Sequence, residues 1–226
     1  VALKSEQTLP ENLQSVVLKN VSAELRINGK KDTAEFGEMA FLDGYLAGPI
    51  IITLSRTAVQ ALHSGHKVEI VLDLKPALDH ATLDRRLLRE IENNRGIDIA
   101  GLIAKLLPAE LRRYCLEQTG LTGSKKADQM SAEQRKNLRL WLKEQRYHVT
   151  GHAPWEQAIV TAGGIATSEI NPNTLESRII ANLYFAGEII DIDADTGGYN
   201  LQAAFSTGWL AGMSAAQAIK NAGKAR

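Results

Sequence analysis

The sequence predicts an α+β fold, in which strands, helices and a glycine-rich region follow one another along the chain. Residues 1–76 favour strands, residues 77–147 carry apolar side chains at helical spacing, and residues 148–226 combine short apolar runs, glycines and a long terminal helix. Strands followed by a block of helices are typical of α+β proteins. At 226 residues, of which 44% are hydrophobic and 23% charged, the chain is long enough to bury a substantial core.

The first region contains three strand candidates and one helix. Residues 16–21 and 23–29 are rich in β-forming side chains, and the Asn-Gly pair that closes the second run predicts a tight turn. Residues 67–74 alternate apolar and polar side chains, as expected for a half-buried strand. Between these runs, residues 48–62 are expected to start extended and to become a helix that ends near Gly65.

The middle region contains helices whose ends are marked by capping residues. Asp98 is a suitable N-cap for the amphipathic segment that follows it, and a second helix is expected between Pro108 and Gly120. Ser131 and Gln134 have the spacing of a capping box ahead of a third helix. The glycine- and lysine-containing stretch before that box is expected to be an exposed loop.

The last region is expected to contain strands and one long helix. Apolar runs at 156–164 and 181–188 favour strands that end in glycine, and residues 170–177 favour a turn followed by a short strand. From about Gly198 to Lys220 the pattern is helical, with small residues at every fourth position that let another backbone approach closely. Interspersed polar side chains argue against a membrane helix and favour packing on a sheet.

Charge and cysteine content limit the classes of function. The 26 basic and 26 acidic residues cancel overall, but residues 77–150 carry a local +4 and residues 151–200 a local −6. The basic residues are mixed with acids at helical spacing, which is typical of solvated faces, so no nucleic acid partner is expected. No apolar run reaches the roughly 20 residues of a membrane span, and no signal peptide is visible. The single cysteine, Cys115, indicates a reducing, cytoplasmic location.

Residues 191–200, DIDADTGGYN, place three acids at alternate positions ahead of two glycines. A calcium loop of the EF-hand kind needs glycine at its sixth position and glutamate at its twelfth, where this sequence has Thr196 and Gln202. Helix-breaking residues lie between or beside His148 and His152, so these side chains are not aligned as ligands either. No metal site is therefore predicted, and the acids are interpreted as a solvated rim or as part of a ligand-binding loop.

A ligand-binding loop agrees with the order of elements around this segment. An apolar run ends at Gly187 and Glu188, and a loop then leads to a helix that starts at Gly197 and Gly198. Glycines let a flat ring approach the backbone, the first N–H groups of a helix favour negative charge, and a carboxylate can accept hydrogen bonds from sugar-type hydroxyls. The pattern favours an aromatic two-electron carrier, and a glycine-rich helix start without a ligand is the alternative. The chain contains no GxGxxG or GxxxxGK[ST] motif for a phosphate chain.

Four longer motifs carry a family resemblance. GGIATSEINPNTLES lies at 163–177, YFAGEIIDIDADTGGYNLQ at 184–202, EFGEMAFLDGYLAGPIIITLSR at 35–56 and LPAELRRYCLEQTG at 107–120. Together they resemble the HI0933-like, YhiN-type family of FAD-dependent oxidoreductases. The match is close over residues 160–212 and extends over essentially the whole chain.

The resemblance implies a protein of three parts: a Rossmann-type FAD domain, an inserted β-barrel-like domain with a helical portion, and a C-terminal return that completes the FAD domain. Residues 1–76 would be the β-rich insert, residues 77–147 its helical subdomain, and residues 148–226 the returning strands and long helix. The N-terminal half of the FAD domain would be absent, in keeping with a chain that begins at Val1 rather than Met. This missing half is the first expected partner, and the edge it leaves exposed predicts self-association.

By the same resemblance, FAD is the implied cofactor, and its isoalloxazine and ribityl side is expected to be lined by Gly163, Gly164, Gly187, Glu188, Gly197, Gly198, Tyr199 and Asn200. Ala194 departs from the family pattern, in which glycine is expected, and should alter only the loop. Hydride is expected to pass from a nicotinamide cofactor or a reduced substrate through the flavin to an unknown small-molecule acceptor. No catalytic base can be assigned, since Tyr199 is interpreted as a packing residue.

Two functions of different classes follow from these observations. In the first, the chain is part of a flavin-dependent oxidoreductase and is inactive by itself, because the GxGxxG half is missing. In the second, the barrel and helices form a non-catalytic binding module that does not hold flavin.

Overall fold

A computed structural model describes residues 1–7, 13–14, 16–195 and 197–224 of the protein. The chain divides into two compact units, Val1–Pro154 and Trp155–Arg226. Each unit has its own cluster of buried apolar side chains. Thr196, the sixth position in the comparison with calcium loops, lies outside the described residues.

Six antiparallel strands of the first unit close into a barrel: β1 (Leu3–Ser5), β2 (Val17–Ile27), β3 (Lys30–Leu42), β4 (Tyr45–Ala47), β5 (Val68–Asp73) and β6 (Gln145–His152). Their order around the barrel is β1-β4-β3-β2-β5-β6. Side chains such as Leu25, Phe41 and Tyr147 are buried in its core. The α+β class and the β-barrel-like insert that the sequence predicts are therefore confirmed.

β2 is longer than the sequence predicts. The predicted runs at 16–21 and 23–29 belong to one strand. Its pairing with β3 has an irregular register between Leu18 and Val21. An irregularity of this kind bends a strand, as the closure of a small barrel requires. The expected turn to β3 is formed by Asn28 and Gly29, whose φ angles of 51° and 78° suit a two-residue hairpin.

α1 (Pro49–His63) is helical from its first residue, so the expectation of an extended start is wrong. Gly48 precedes it with a φ of 93°, and a Cβ at this position would lie only 2.8 Å from the Cα of Met39. Glycine allows this close approach to β3, and Pro49 then has the φ angle that the first helical position requires. Ile51 and Leu54 of the helix pack into the barrel core.

The chain between β5 and β6, all of which is described, forms four α-helices: α2 (His80–Asn93), α3 (Ile99–Ala104), α4 (Ala109–Thr119) and α5 (Ala132–Lys143). The capping predictions are confirmed. Asp98 accepts a hydrogen bond from the N–H of Gly101, and Ser131 forms a capping box with Gln134. Gly120 ends α4 in the left-handed conformation, with a φ of 65°.

The helices and the barrel share one continuous hydrophobic core. Leu83 and Leu138 from the helices belong to the same buried cluster as Leu25 from the barrel. The predicted boundary between residues 147 and 148 falls inside β6, because this strand completes the barrel by pairing with β5 on one side and β1 on the other. The compact unit accordingly ends at Pro154.

The second unit is built around one long helix, α6 (Tyr199–Lys224), which confirms the helix predicted at the end of the chain. Its buried cluster consists of Ile170, Leu175, Ile190 and Ala211. The small residues of this helix, including Gly208 and Gly212, were expected to pack closely on a sheet, but apart from neighbouring backbone of α6 itself no described atom lies within 4 Å of a Cβ built on either glycine. Among the described residues, no helix is long and apolar enough to cross a membrane.

The runs predicted as strands at 156–164 and 181–188 do not form ladders. The bridges in the described part of the second unit are isolated ones, including a parallel bridge between Ile165 and Ile190. A strand is stabilised when it pairs with a neighbouring strand along its length. In the described part of this unit, each bridge is a single residue pair. The Rossmann-type assignment of the C-terminal region therefore stays a prediction.

Candidate flavin-contacting cleft

The residues predicted to line the cofactor lie in the second unit, near the start of α6 and in two segments beside it. A shallow cleft there is lined by Gly187, Glu188, Ile190, Ile192, Asn200, Ala203, Ala204 and Thr207. The lining thus combines one carboxylate, one amide and one hydroxyl with small or branched apolar side chains. The lining is thus mostly apolar, with three polar side chains that could orient a ligand lying against it.

Gly164 lies against the segment that leads into the cleft. The N–H of Ile165 donates to the carbonyl oxygen of Ile189 at 2.8 Å, in a parallel arrangement of the two segments. A Cβ on Gly164 would lie 2.4 Å from that same carbonyl oxygen, so only glycine allows the approach. Gly164 therefore packs beside the lining residues Glu188 and Ile190, whereas Gly163 is not among the residues that line the cleft.

Gly187 joins this wall to the middle of α6. Its φ of 73° lies in the left-handed region that favours glycine. Its N–H donates to the hydroxyl of Thr207 at 2.9 Å, and that hydroxyl in turn donates to the carbonyl oxygen of Ala203 at 2.7 Å. A Cβ built on Gly187 would lie 4.0 Å from the Cβ of Ala204, so the small residues of the helix let the turn come close.

The side-chain amide of Asn200 forms hydrogen bonds with the loop that precedes α6. Its Oδ1 accepts a hydrogen bond from the N–H of Ala194 at 2.9 Å, and its Nδ2 donates to the carbonyl oxygen of Ala194 at 2.7 Å. Both bonds meet one residue, so they fix the orientation of its two peptide groups. Ala194, the position that departs from the family pattern, is thus the point at which the loop is held.

Gly197, Gly198 and Tyr199 stand at the N-terminal end of α6, outside the cleft lining. The two glycines have φ angles of 126° and 89°, and the side chain of Tyr199 is exposed. The first N–H groups of any helix lack an intrahelical acceptor and carry partial positive charge. Of the predicted residues, the cleft itself brings together Gly187, Glu188 and Asn200.

The sequence reasoning missed the helical side of the cleft. Thr207 follows Asn200 by seven positions, or two helical turns, and Ala203 and Ala204 lie between them on the same face. That spacing is visible in the sequence. It did not identify the face, because the helix carries no charged residue before Lys220 and its polar and apolar residues do not mark which side is covered.

Reactive groups elsewhere in the described residues are tied into the core. Cys115 is buried in the helical region, and burial raises the pKa of its thiol to about 12. Burial also raises the pKa of Tyr147 well above its ordinary value, and its hydroxyl donates to Gln145 at 2.7 Å. The described part of the chain contains no group of three or more His, Cys, Asp or Glu residues that could hold a metal ion.

Comparison with curated proteins identifies relatives of about twice this length. A 3-dehydro-bile acid delta(4,6)-reductase from Clostridium scindens is 28% identical over 181 residues, which cover 80% of this chain and 44% of the relative. A ribosomal RNA dihydrouridine synthase from Escherichia coli is 30% identical over 202 residues, covering 89% and 47%. That of Haemophilus influenzae is 25% identical over 197 residues, covering 87% and 47%. The chain spans about half the length of the curated relatives it matches.

A family model described as the HI0933-like protein barrel and H2TH domain matches residues 1–160. This range includes the whole first unit, with its closed barrel and the helices between β5 and β6. The match covers 160 of 226 residues, well over half of the chain. The resemblance inferred from the sequence motifs is confirmed, and the chain belongs to the HI0933-like family.

Proposed function

We propose that the chain forms the barrel, helical and C-terminal parts of an FAD-dependent oxidoreductase that takes electrons from NADH or NADPH. The observation that carries this proposal is the cleft beside α6, where the turn at Gly187, the side chain of Glu188 and the first part of a long helix converge, with Gly164 packed against the backbone of Ile189. Family membership supports it, as do relatives named as a reductase and as dihydrouridine synthases. The chain has no GxGxxG motif, so other residues of the intact protein would hold the pyrophosphate of FAD.

We propose that residues at and near the cleft contact the ring and ribityl side of a flavin. Gly164 approaches Ile189 so closely that a Cβ would close the gap, and Gly197 and Gly198 present bare backbone at the positive end of α6. The exposed carboxylate of Glu188 can accept hydrogen bonds from hydroxyl groups. Bound FAD would supply hydride transfer. The N–H groups at the start of α6 would favour negative charge on a ring placed there.

We further propose that the reaction is the reduction of an unsaturated bond in a small molecule. The names of the relatives denote a reductase in one case and the formation of dihydrouridine in the other, and both describe a product that has gained hydrogen. Ribosomal RNA, named for two relatives, is the second candidate substrate. We favour the small molecule because basic side chains of the helical region are engaged internally: Arg135 and Arg139 pair with Asp84, and Lys143 pairs with Asp73.

The exposed face of α6 supports a protein partner for the second unit. Leu201, Phe205, Trp209 and Met213 recur at every fourth position and are 64%, 71%, 73% and 55% exposed. No acidic or basic residue occurs between Tyr199 and Ile219. Contiguous apolar surface of this kind marks an interaction site. We propose that the N-terminal, flavin-binding half of the intact protein covers this row and that the chain self-associates through it when that half is absent.

A non-catalytic binding module that holds no flavin is the alternative, and flavin content separates the two functions. The test is a visible absorption spectrum of the purified chain, taken after FAD has been added and unbound FAD removed by desalting. A retained flavin band would mean that the cleft holds the ring without the pyrophosphate half. The same measurement on the protein extended at its N-terminus is expected to give a stoichiometric band, and its absence there would exclude the flavoprotein proposal.

Activity assays separate the substrate classes. The chain alone is expected to be inactive, whereas the extended flavoprotein should oxidise NADH or NADPH when an unsaturated small molecule is supplied. Oxidation that depends on ribosomal RNA instead would favour the second candidate. The cytoplasmic location expected from the single cysteine is part of the same proposal.

A further inference from the structure

The segment 187–194 forms one wall of the cleft and is tied to α6 at both ends. At its start, the N–H of Gly187 donates to the Thr207 hydroxyl at 2.9 Å. At its end, Ala194 exchanges two hydrogen bonds with the Asn200 amide, at 2.9 and 2.7 Å. Each of the two helical side chains therefore holds backbone atoms of the loop.

The spacing of these two ties makes the segment compact. Asn200 and Thr207 are seven residues apart on α6, which corresponds to about 10 Å along a helix axis. The seven peptide units from Gly187 to Ala194 could span roughly 24 Å if extended. The segment is shortened by a 3₁₀ turn at Gly187–Ile189 and by the buried side chain of Ile190, which packs in the core of the unit.

We propose that Asn200 and Thr207 are positioning residues that hold the cleft wall, and Glu188 with it, in its ligand-binding shape before any ligand arrives. Preorganisation of this kind removes the ordering cost that a loose loop would impose on binding. The hydrogen bonds that hold the wall do not depend on which ligand binds. The identity of the ligand as a flavin rests on the proposed function. Asn200 thereby gains a role beyond the ligand contact that the family resemblance implies, since its amide holds both peptide groups of Ala194.

Amide hydrogen exchange, followed residue by residue by NMR on the whole chain, tests the two ties without any ligand. Asn200→Leu removes both bonds to Ala194, and Thr207→Val removes the acceptor for the N–H of Gly187. The matched control is Gln202→Leu, on the same helix, because the Gln202 amide donates to Ser206 on α6 itself at 3.1 Å and not to the loop. Thr207→Ser keeps the acceptor for the N–H of Gly187 and serves as the conservative rescue.

The expected result is selective loss of protection. The amide of Ala194 should exchange roughly tenfold faster in N200L, and that of Gly187 roughly tenfold faster in T207V. In each variant the backbone N–H that is followed loses its side-chain acceptor. Q202L should leave both amides as in the unsubstituted chain, and T207S should restore most of the protection of the Gly187 amide. Unprotected amides at Ala194 and Gly187 in the unsubstituted chain would overturn the proposal. So would equal exchange in N200L, T207V and Q202L.

FAD titration, followed by quenching of flavin fluorescence, separates this inference from the proposed function. If the chain binds FAD, N200L and T207V should bind it at least about tenfold more weakly than Q202L does, because the ordering cost returns. Equal affinity in all variants would overturn the positioning role and leave the flavin proposal intact. If no variant binds FAD, this chain does not hold the ring by itself, the flavin proposal is decided on the N-terminally extended protein, and the exchange data alone decide whether the two residues hold the wall.

Discussion

At the scale of single residues, the glycines of the second unit differ in what their missing side chains permit. A Cβ on Gly164 would lie 2.4 Å from the carbonyl oxygen of Ile189, whereas a Cβ on Gly208 would have no described atom within 4 Å apart from neighbouring backbone of α6 itself. The first glycine is required by a close backbone approach. The second is in a helix interior, where alanine is the better residue.

Substituting alanine at these two positions should therefore change stability in opposite directions. Gly164→Ala should destabilise the second unit by about 2 kcal/mol, because the backbone must shift to accept the methyl group. Gly208→Ala should stabilise α6 by about 0.5–1 kcal/mol. Urea unfolding followed by circular dichroism measures both effects. Equal midpoints for the two variants would contradict the close approach of Gly164 to Ile189.

The buried thiol of Cys115 should make the stability of the fold depend on pH. Burial raises the pKa of its thiol from the ordinary 9.0 to about 12, so the folded chain keeps a proton that the unfolded chain releases above pH 9. The stability contributed by this proton is fully present below pH 9 and is lost as pH rises towards 12. Relative to Cys115→Ala, the unsubstituted chain should lose about 2 kcal/mol of unfolding free energy between pH 8 and pH 10.5. The native thiol should also resist a disulfide reagent at pH 8, and rapid labelling would contradict its burial.

At the scale of elements, a buried ammonium group joins the barrel to the helical region. Lys143, near the end of α5, pairs with Asp73 at the end of β5 and donates to the carbonyl oxygens of Lys75 and Leu78, which lie ahead of α2. Its side chain is only 9% exposed. One residue thus connects α5 to the end of β5 and to the segment that precedes α2.

Replacing this lysine should weaken the junction between those elements. Lys143→Met removes charge-assisted hydrogen bonds and leaves Asp73 without its ammonium partner, which should cost roughly 2–3 kcal/mol of unfolding free energy. Lys136→Met, on the exposed side of the same helix, is the matched control and should be nearly neutral. Thermal unfolding measures the difference. A neutral Lys143→Met would mean that the apolar core alone holds the helices on the barrel.

Elements whose ends carry local signals were predicted well. The caps at Asp98, Gly120 and Ser131 act through neighbours within about one turn, so they are legible in the sequence. The start of α1 was misjudged because its N-terminal turn depends on Gly48 approaching β3, a contact that is distant along the chain. The strands predicted at 156–164 and 181–188 failed for the same reason, since a ladder needs a partner that local pattern does not reveal.

At the scale of the whole molecule, the two units differ in how much apolar surface they bury. The first has a large continuous core, whereas the buried cluster of the second contains Ile170, Leu175, Ile190 and Ala211. Large apolar side chains along α6 remain exposed. This imbalance predicts that association of the chain depends on α6.

Light scattering tests that dependence. The unsubstituted chain should form dimers or larger assemblies, and Trp209→Glu should give a monomer, because a charge in the apolar row would have to be desolvated on association. Gln217→Glu, at an exposed polar position of the same helix, is the control and should behave like the unsubstituted chain. A monodisperse monomer before any substitution would contradict the prediction.

The sequence by itself determined the α+β class, the family, most helix ends and the glycine-rich segments near the cleft. These features depend on composition, on spacing within a few residues, or on motifs long enough to be specific. Gly164, Gly187 and Glu188 could be singled out in this way.

Only the tertiary structure decided that β6 closes the barrel beyond residue 147, that Asn200 binds Ala194, and that Thr207 completes the cleft. Each depends on a contact between residues that are brought together by folding and whose partners are not specified by their own types. An asparagine near a helix start suits a loop tie as well as a ligand contact. The loop tie is visible only in the folded chain, because folding places the N–H and the carbonyl oxygen of Ala194 within hydrogen-bonding reach of the Asn200 amide.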